Sequence, residues 1–193
     1  MSENSETPTA KRRKAQVVSA AAECFRRDGF HRSSMSRISA AAGMSSGHIY
    51  HYFARKEDIV EALVAQEESE LALLVHDVER AAEHSDVVSA ISDLAERTAE
   101  RYMDREHAGL AMEILAESVR NPEISKLIAE SDTDVRRSFE TLLGERTPES
   151  VSRCALVASL LDGLSVRSIR HPGVAADIDR VMLAKVVRFM LTA

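Results

Sequence analysis

The spacing of apolar residues is the feature that most restricts how this chain can fold. Apolar side chains recur every three or four positions along almost the whole sequence, as in Val17, Ala21, Cys24 and Phe25. That interval places them on one face of an α-helix, whereas a half-buried β-strand needs alternation at every second position. The sequence shows neither the strand pattern nor an internal repeat. It therefore predicts an all-α fold.

Glycine and proline divide this pattern into nine predicted helices. Gly29 and Gly43 can end the first two helices, and a proline suited to a first helical turn follows each of three later breaks. The predicted helices cover residues 11–28, 35–42, 46–52, 55–82, 86–104, 106–120, 122–143, 148–170 and 177–191. The fourth helix spans about 40 Å at 1.5 Å per residue, which is long enough to connect two modules.

The charge distribution distinguishes the front of the chain from the remainder. The whole chain has a formal net charge of -6, which by itself argues against binding to nucleic acid. However, residues 1–56 contain ten basic and four acidic side chains, whereas the rest contains 15 basic and 27 acidic ones. A basic front attracts DNA and orients the molecule as it approaches.

Several classes of protein are not indicated. The sequence has no apolar window near the roughly 18 to 20 residues of a membrane span, so we expect a cytoplasmic protein without a membrane partner. It has no GxSxG, P-loop, GxGxxG or HExxH motif, so we expect no catalytic residues, no enzymatic activity and no cofactor. Cys24 and Cys154 each lie in an apolar helical stripe, which favours buried thiols over a disulfide or a metal site.

Residues 33–56 have the organisation of a helix-turn-helix. Two short predicted helices are separated by a tight turn at Gly43, and the core between them can be formed by Ile38, Ala42, Met44, Ile49 and Phe53. The exposed amino-terminal side of the second helix then carries Ser45, Ser46, Gly47, His48 and His51. In a helix-turn-helix this side meets base edges in the major groove. The segment therefore predicts binding to double-stranded DNA.

The stretch Gly47-His48-Ile49-Tyr50-His51-Tyr52-Phe53, followed by Lys56-Glu57-Asp58-Ile59, resembles the TetR family of regulators. The resemblance runs from residue 11 to about residue 64. It implies that Tyr50 and Tyr52 contact phosphates, that Lys56 does so from the start of the fourth helix, and that Ser34 or Ser36 does so from the second. It implies base contacts for Ser46, Gly47, His48 and His51. Hydroxyls, lysines and helix amino termini are ordinary phosphate donors.

Two further features of the DNA-binding segment leave alternatives open. The run that begins with Lys11 and Arg12 precedes the first helix, so it is either an arm over phosphates or the minor groove, or a solvated basic run. His48 and His51 lie three positions apart on a helix and could share a metal ion. Because no third ligand of suitable type lies beside them, we expect no metal site.

The last two predicted helices are apolar around most of their circumference, so both sides need to be covered. A partner subunit can supply the second cover, which predicts a homodimer and a palindromic operator; a central position in a monomeric bundle is the alternative. Resemblance supports the dimer, because Leu161-Asp162-Gly163-Leu164 is similar to a motif of family members that pair through these helices. The predicted interface contains Val157, Leu161, Leu164, Val186, Phe189 and Met190.

In members of the family, effector pockets lie among the central helices. The resemblance therefore also implies a pocket among the central helices of this chain. Candidate lining residues, which could equally be plain core, are Met103, Met112, Leu115, Leu127, Phe139 and Leu142. Glu113 and Glu117 lie one turn apart on a helix that is otherwise apolar. They could meet a cationic ligand or form a solvated face.

The sequence thus predicts three parts. Residues 1–10 form a disordered tail, residues 11–56 a helix-turn-helix domain, and residues 57–193 a helical effector-binding and dimerisation domain. The predicted function is a ligand-responsive transcription regulator, a repressor that a small molecule releases from its operator. The alternative is a helical ligand-binding or interaction protein that no longer binds DNA.

Overall fold

The computed structural model describes residues 7–144 and 146–193, and these form ten α-helices with no β-strand among them. This confirms the all-α prediction. The helices are α1 (Pro8–Asp28), α2 (Met35–Ala41), α3 (Ser46–Tyr50), α4 (Lys56–Ala82), α5 (Val87–Met103), α6 (Arg105–Ser118), α7 (Pro122–Leu142), α8 (Pro148–Arg170), α9 (Val174–Asp177) and α10 (Arg180–Thr192).

The first eight predicted helices are confirmed, because their ends depend on local chemistry that the sequence displays. The side chain of Thr147 accepts a hydrogen bond from the backbone N–H of Ser150 at 3.1 Å and so caps α8, which begins at the predicted residue, Pro148. At the other end of the chain, Thr7 caps α1, which begins at Pro8. The predicted tail is therefore wrong for residues 8–10, whereas residues 1–6 lie outside the described residues.

The ninth predicted helix, over residues 177–191, is wrong at its start. The chain forms the single turn α9 and then α10, because Ile178 and Asp179 between them have extended backbone angles. The carboxylate of Asp179 accepts hydrogen bonds from the backbone N–H groups of Val181 and Met182 at 2.8 and 3.1 Å. This cap begins α10 at Arg180 and accounts for the tenth helix.

The chain divides into two compact units. The first contains the described residues up to Gln66 together with Glu113–Leu127, and the second contains the described residues of Glu67–Met112 and Ile128–Ala193. The sequence predicted a single boundary after residue 56, so it did not foresee that the first unit includes a segment far along the chain. The most deeply buried large side chains of the first unit are Val17, Phe25, Ile38, Ile49, Ile59, Val60 and Ile124.

The core of the second unit forms where α5, α8 and α10 pack on one another. Its buried side chains are Val78, Ala90, Ile91, Leu94, Ala95, Ala99, Met103, Val157, Leu164, Val174, Leu183, Val187 and Leu191. At the surface of this unit, Arg188 of α10 lies 3.7 Å from Asp86, which caps α5. The core thus holds the last helices of the chain on α5.

Cys24 and Cys154 are both buried and free, which confirms the prediction of buried thiols. Across the described part of the chain, no helix is long and apolar enough to cross a lipid bilayer.

Candidate nucleic-acid interface

The α2–turn–α3 segment is held by two serine caps and one glycine. The hydroxyl oxygen of Ser34 accepts a hydrogen bond from the N–H of Arg37, and that of Ser45 accepts one from the N–H of His48, each at 3.3 Å. Gly43 between them has φ +62°, a left-handed conformation that is unfavourable for residues with a Cβ. The predicted turn at Gly43 is confirmed.

Beneath this segment lies a small apolar core. Of the side chains predicted to form it, Met44 is half-buried and the others, Ile38, Ala42, Ile49 and Phe53, are buried. The amide of Gln16 on α1 donates a hydrogen bond to the carbonyl of Ala42 at 2.7 Å, and so ties the end of α2 to α1. This role of Gln16 could not be predicted, because a lone glutamine on a helix carries no signal of its distant partner.

The opposite side of α3 is open. Ser45, Ser46, Gly47, His48 and His51 are all exposed, in the arrangement that the helix-turn-helix interpretation requires. A Cβ built on Gly47 has no neighbour within 4 Å, so the backbone there is open to an approaching molecule. Tyr50 is 55% exposed, and its hydroxyl is available to a phosphate.

On this surface the ring of Tyr52 lies close to two imidazoles. Its ring centroid lies 5.5 Å from that of His48 and 5.1 Å from that of His51. Its hydroxyl lies 3.5 Å from Nε2 of His48, at the outer limit of a hydrogen bond. Tyr52 thus has neighbours that Tyr50 lacks, although the resemblance implied the same phosphate contact for both. Among the described residues no group of three His, Cys, Asp or Glu side chains could hold a metal ion.

Lys56 makes a structural contact that its implied role as a phosphate anchor did not predict. Its ammonium donates a hydrogen bond to the carbonyl of Phe30 at 2.6 Å and lies 4.1 Å from the centroid of the Phe30 ring. Burial lowers the pKa of Lys56, while Coulomb attraction to Glu57 and Glu117 opposes that shift. The ammonium therefore holds the loop between α1 and α2, and we assign Lys56 a structural role.

The basic run that begins with Lys11 and Arg12 lies within helix α1. Lys11 and Arg12 are exposed in its first turns, so the predicted alternative of an arm that precedes the first helix is wrong for these two residues. They remain candidates for phosphate contacts. Ser34 and Ser36, at the start of α2, are also exposed, and their hydroxyl oxygens lie 2.9 Å apart.

Glu113 and Glu117 do not form a solvated face, which was one of the two predictions for them, because both carboxylates contact other residues of the protein. Glu113 accepts a hydrogen bond from the backbone N–H of Phe30 at 2.6 Å. The side chain of Glu117 is only 5% exposed, and its Oε2 lies 2.9 Å from Nε2 of His31. These contacts join residues more than 80 positions apart, which no local pattern could reveal.

The six predicted pocket residues have different environments. Met103 belongs to the buried core of the second unit, and Phe139 and Leu142 pack against that core. Met112 and Leu127 are half-buried. Leu115 is 49% exposed, which is unlike the lining of a pocket.

The predicted dimer interface needs a similar revision. Val157 and Leu164 belong to the core of the protomer itself, so a partner cannot cover them, and Leu161 and Met190 are half-buried against that core. Val186 is exposed, and Phe189 is 70% exposed. Periodicity showed that α8 and α10 are apolar, but not which of their faces meets α5.

Comparisons with known proteins agree with this architecture. The model described as bacterial regulatory proteins, tetR family, matches residues 17–63, and the model described as tetracyclin repressor-like, C-terminal domain, matches residues 82–193. The HTH-type transcriptional regulator UidR of Escherichia coli is 29% identical over 183 residues, covering 91% of this chain and 86% of that protein.

Solved structures show the same fold. A TetR-family transcriptional regulator from Mesorhizobium loti superposes with a TM-score of 0.76 at 18% identity, covering 97% of this chain and 96% of that one. GusR from Salmonella enterica superposes with a TM-score of 0.72 at 24% identity, covering 98% of this chain and 97% of that one.

Proposed function

The chain belongs to the TetR family of bacterial regulatory proteins, and we propose that it is a dimeric cytoplasmic repressor that leaves its DNA operator when a small molecule binds. The observation that carries this proposal is the open polar side of α3, where five neighbouring positions are exposed above a buried apolar core. A DNA-binding helix needs this combination, because it must enter the major groove while its other side stays packed.

The chemistry of this surface suggests a division of labour. Tyr50, Ser36 and the amino termini of α2 and α3 supply neutral phosphate donors, and Lys11 and Arg12 add charge from α1. We assign base contacts to Ser46, Gly47, His48 and His51. Lys and Arg side chains commonly recognise guanine by hydrogen bonds to its major-groove edge. Because α3 contains neither Lys nor Arg, we expect no guanine contact of this kind from α3.

The proposed dimer pairs through α8 and α10. Both helices expose apolar side chains after packing on α5, and these are Leu156, Val166, Ile169, Val181, Met182, Val186 and Phe189. Exposed large apolar side chains in such number favour coverage by a partner over contact with water. A second copy of the chain is the natural partner, because a two-fold dimer presents two α3 helices to a palindromic operator.

The proposed response to a ligand acts through α4. The two recognition helices of a dimer must be about 34 to 36 Å apart to enter successive major grooves. The helix α4 is continuous from Lys56 to Ala82, so a ligand that tilts it changes the position of its amino-terminal end. Release requires that the ligand bind the non-fitting arrangement more tightly, since equal affinity for both would shift nothing. The proposal involves no catalysed reaction and no cofactor.

A selection experiment tests the proposal. The full chain is incubated with a random pool of DNA duplexes at low salt, and bound duplexes are amplified and sequenced over several rounds. We expect enrichment of a palindromic sequence, whose affinity falls steeply as salt rises. If no duplex is enriched and the protein ignores every duplex at low salt, the chain is a helical binding protein without DNA-binding activity.

A further inference from the structure

Three carboxylates on the segment Glu113–Leu127 contact the DNA-binding part of the same compact unit. They are Glu113 and Glu117 on α6 and Glu123 in the first turn of α7, and we call them the carboxylate corner. Each contacts a different point of the chain between α1 and α4. The corner lies outside every motif that indicated DNA binding.

Glu113 fixes the backbone of the loop that leads into α2. It accepts the N–H of Phe30 at 2.6 Å, directly after Gly29, whose φ is +81°. A Cβ added to Gly29 would lie 3.2 Å from Oε1 of Glu113, which is a tight contact. The carbonyl of the same Phe30 accepts the ammonium of Lys56. Both backbone groups of Phe30 are therefore held by charged side chains.

Glu117 is held in the interior. With only 5% of its side chain exposed, its carboxylate lies 2.9 Å from the imidazole of His31 and 3.4 Å from the guanidinium of Arg120. A buried carboxylate is costly unless it is paired and hydrogen-bonded, so the folded state favours the conformation in which His31 and Arg120 reach Glu117. Glu117 thus favours one position of His31, the residue that follows Phe30.

Glu123 acts on the other side of the helix-turn-helix. Both of its carboxylate oxygens bind the guanidinium of Arg55, and Oε2 accepts from it at 2.7 Å. The same guanidinium donates to Asp58 at 3.0 Å, and Asp58 also accepts the backbone N–H groups of Ala54 and Arg55. This network holds the turn between α3 and α4.

We infer that the carboxylate corner positions the helix-turn-helix for DNA binding, by holding the loop before α2 and the turn after α3 at the same time. The inference rests on the proposed DNA-binding function. It makes Glu113, Glu117 and Glu123 positioning residues, which act on DNA affinity through Phe30, His31 and Arg55.

When one of these carboxylates is removed, the inference and simple electrostatics predict opposite changes in DNA affinity. Acidic side chains repel the phosphates of DNA, so removing one that only repels should tighten binding or leave it unchanged. Removing an acid that positions the binding surface should instead weaken binding. The direction of the change therefore distinguishes the two roles.

The experiment uses the duplex selected by the full chain and measures Kd by fluorescence anisotropy for Glu113→Ala, Glu117→Gln and Glu123→Gln. The matched control is Glu61→Gln, which removes one exposed carboxylate from α4. We expect Kd to rise about tenfold in Glu113→Ala, which loses its hydrogen bond to the backbone. In Glu117→Gln and Glu123→Gln, which lose the charge of an ion pair but keep a carbonyl oxygen, Kd should rise by up to about fivefold. The control should bind as tightly as the original chain or slightly more tightly.

Two additional measurements distinguish a loss of positioning from a general loss of folded structure. Glu113→Gln keeps a carbonyl oxygen for the N–H of Phe30, so it should restore most of the affinity that Glu113→Ala loses. Hydrogen exchange at the amide of Phe30 should be faster in Glu113→Ala and close to the original rate in Glu113→Gln. If Glu113→Ala or Glu117→Gln fails to fold, Glu123→Gln decides, because it alters a pair that is half-exposed on both sides.

The inference is overturned if folded corner variants bind DNA as tightly as the Glu61→Gln control or more tightly. Failure of the proposed function looks different, because the original chain itself would then bind no duplex. Weaker binding confined to the corner variants, with rescue of Glu113→Ala by Glu113→Gln, supports the inference.

Discussion

The ammonium of Lys56 lies 2.6 Å from the carbonyl oxygen of Phe30 and 4.1 Å from the centre of its ring. Lys56 begins α4 and Phe30 follows α1, so one side chain links the two ends of the helix-turn-helix. This contact changes what substitutions at Lys56 should do.

Replacement of Lys56 by Met should destabilise the fold more than it alters phosphate contacts. The loss of the hydrogen bond and of the cation–π contact should lower the free energy of unfolding by about 1 to 2 kcal/mol. Urea unfolding measures this change. The salt dependence of DNA binding should stay nearly constant, whereas loss of a phosphate contact would lower its slope by about one unit per subunit. Lys11→Met, on an exposed side chain, serves as the comparison and should leave stability unchanged.

Replacement of Gly43 by Ala should destabilise the turn between α2 and α3. Its φ of +62° disfavours any Cβ, which costs about 1 to 2 kcal/mol, although no atom lies within 4 Å of the added carbon. Gly43→Asn should cost less, because Asn tolerates this conformation. The matched control is Gly47→Ala within α3, which should raise stability by about 0.5 to 1 kcal/mol. Equal urea midpoints for Gly43→Ala and the original chain would contradict this prediction.

Tyr50 and His48 should have distinguishable effects on DNA recognition. Tyr50→Phe removes an exposed hydroxyl, and we expect about fivefold weaker binding per subunit on every duplex, since a phosphate contact carries no sequence information. His48→Ala should instead change which sequence is selected. Binding to a panel of operator variants measures both. Tyr52→Phe is the control; the Tyr52 hydroxyl faces His48, so its loss should follow the His48 pattern. A uniform loss in His48→Ala would argue against its role in base reading.

Phe189→Asp should disrupt the proposed dimer. The side chain is 70% exposed on α10, and a charge there opposes coverage by a partner. We expect the dimer dissociation constant to rise at least about 30-fold, as for an interface residue worth roughly 2 kcal/mol. Analytical ultracentrifugation measures this constant. Leu73→Asp alters an equally prominent apolar residue on α4 and should leave the dimer intact. Loss of the dimer in both variants would point to a different interface.

Asp28 should contribute to the acid stability of the first unit. The hydrogen bond from Arg27 lowers the pKa of Asp28, with further attraction from Arg27 and Arg37, while burial opposes the shift. A carboxyl whose pKa is lowered by folding stabilises the fold above its ordinary pKa of about 3.9 and loses that contribution as the pH falls. Asp28→Asn should therefore flatten the decline of the urea midpoint below about pH 4. Identical acid profiles for the two proteins would refute this prediction.

The candidate site could be predicted from the sequence wherever its chemistry is local. Ser34, Ser45 and Gly43 are next to the helices that they cap or end, so their side chains or backbone angles act within four residues. The exposed side of α3 follows from the same spacing that buries Ile49. By contrast, the hydrogen bond from Gln16 to Ala42 spans 26 positions, and a single sequence contains no sign of it.

The sequence by itself determined the helical class, most helix ends and the polar side of α3, because each depends on side-chain spacing and on caps within a few residues. Only the tertiary structure decided that Val157 and Leu164 face their own core, that Lys56 binds Phe30, and that Glu117 is buried. The physical reason is that periodicity identifies an apolar or charged face without identifying the surface that covers it. That surface comes from residues distant in sequence, brought near only when the helices pack.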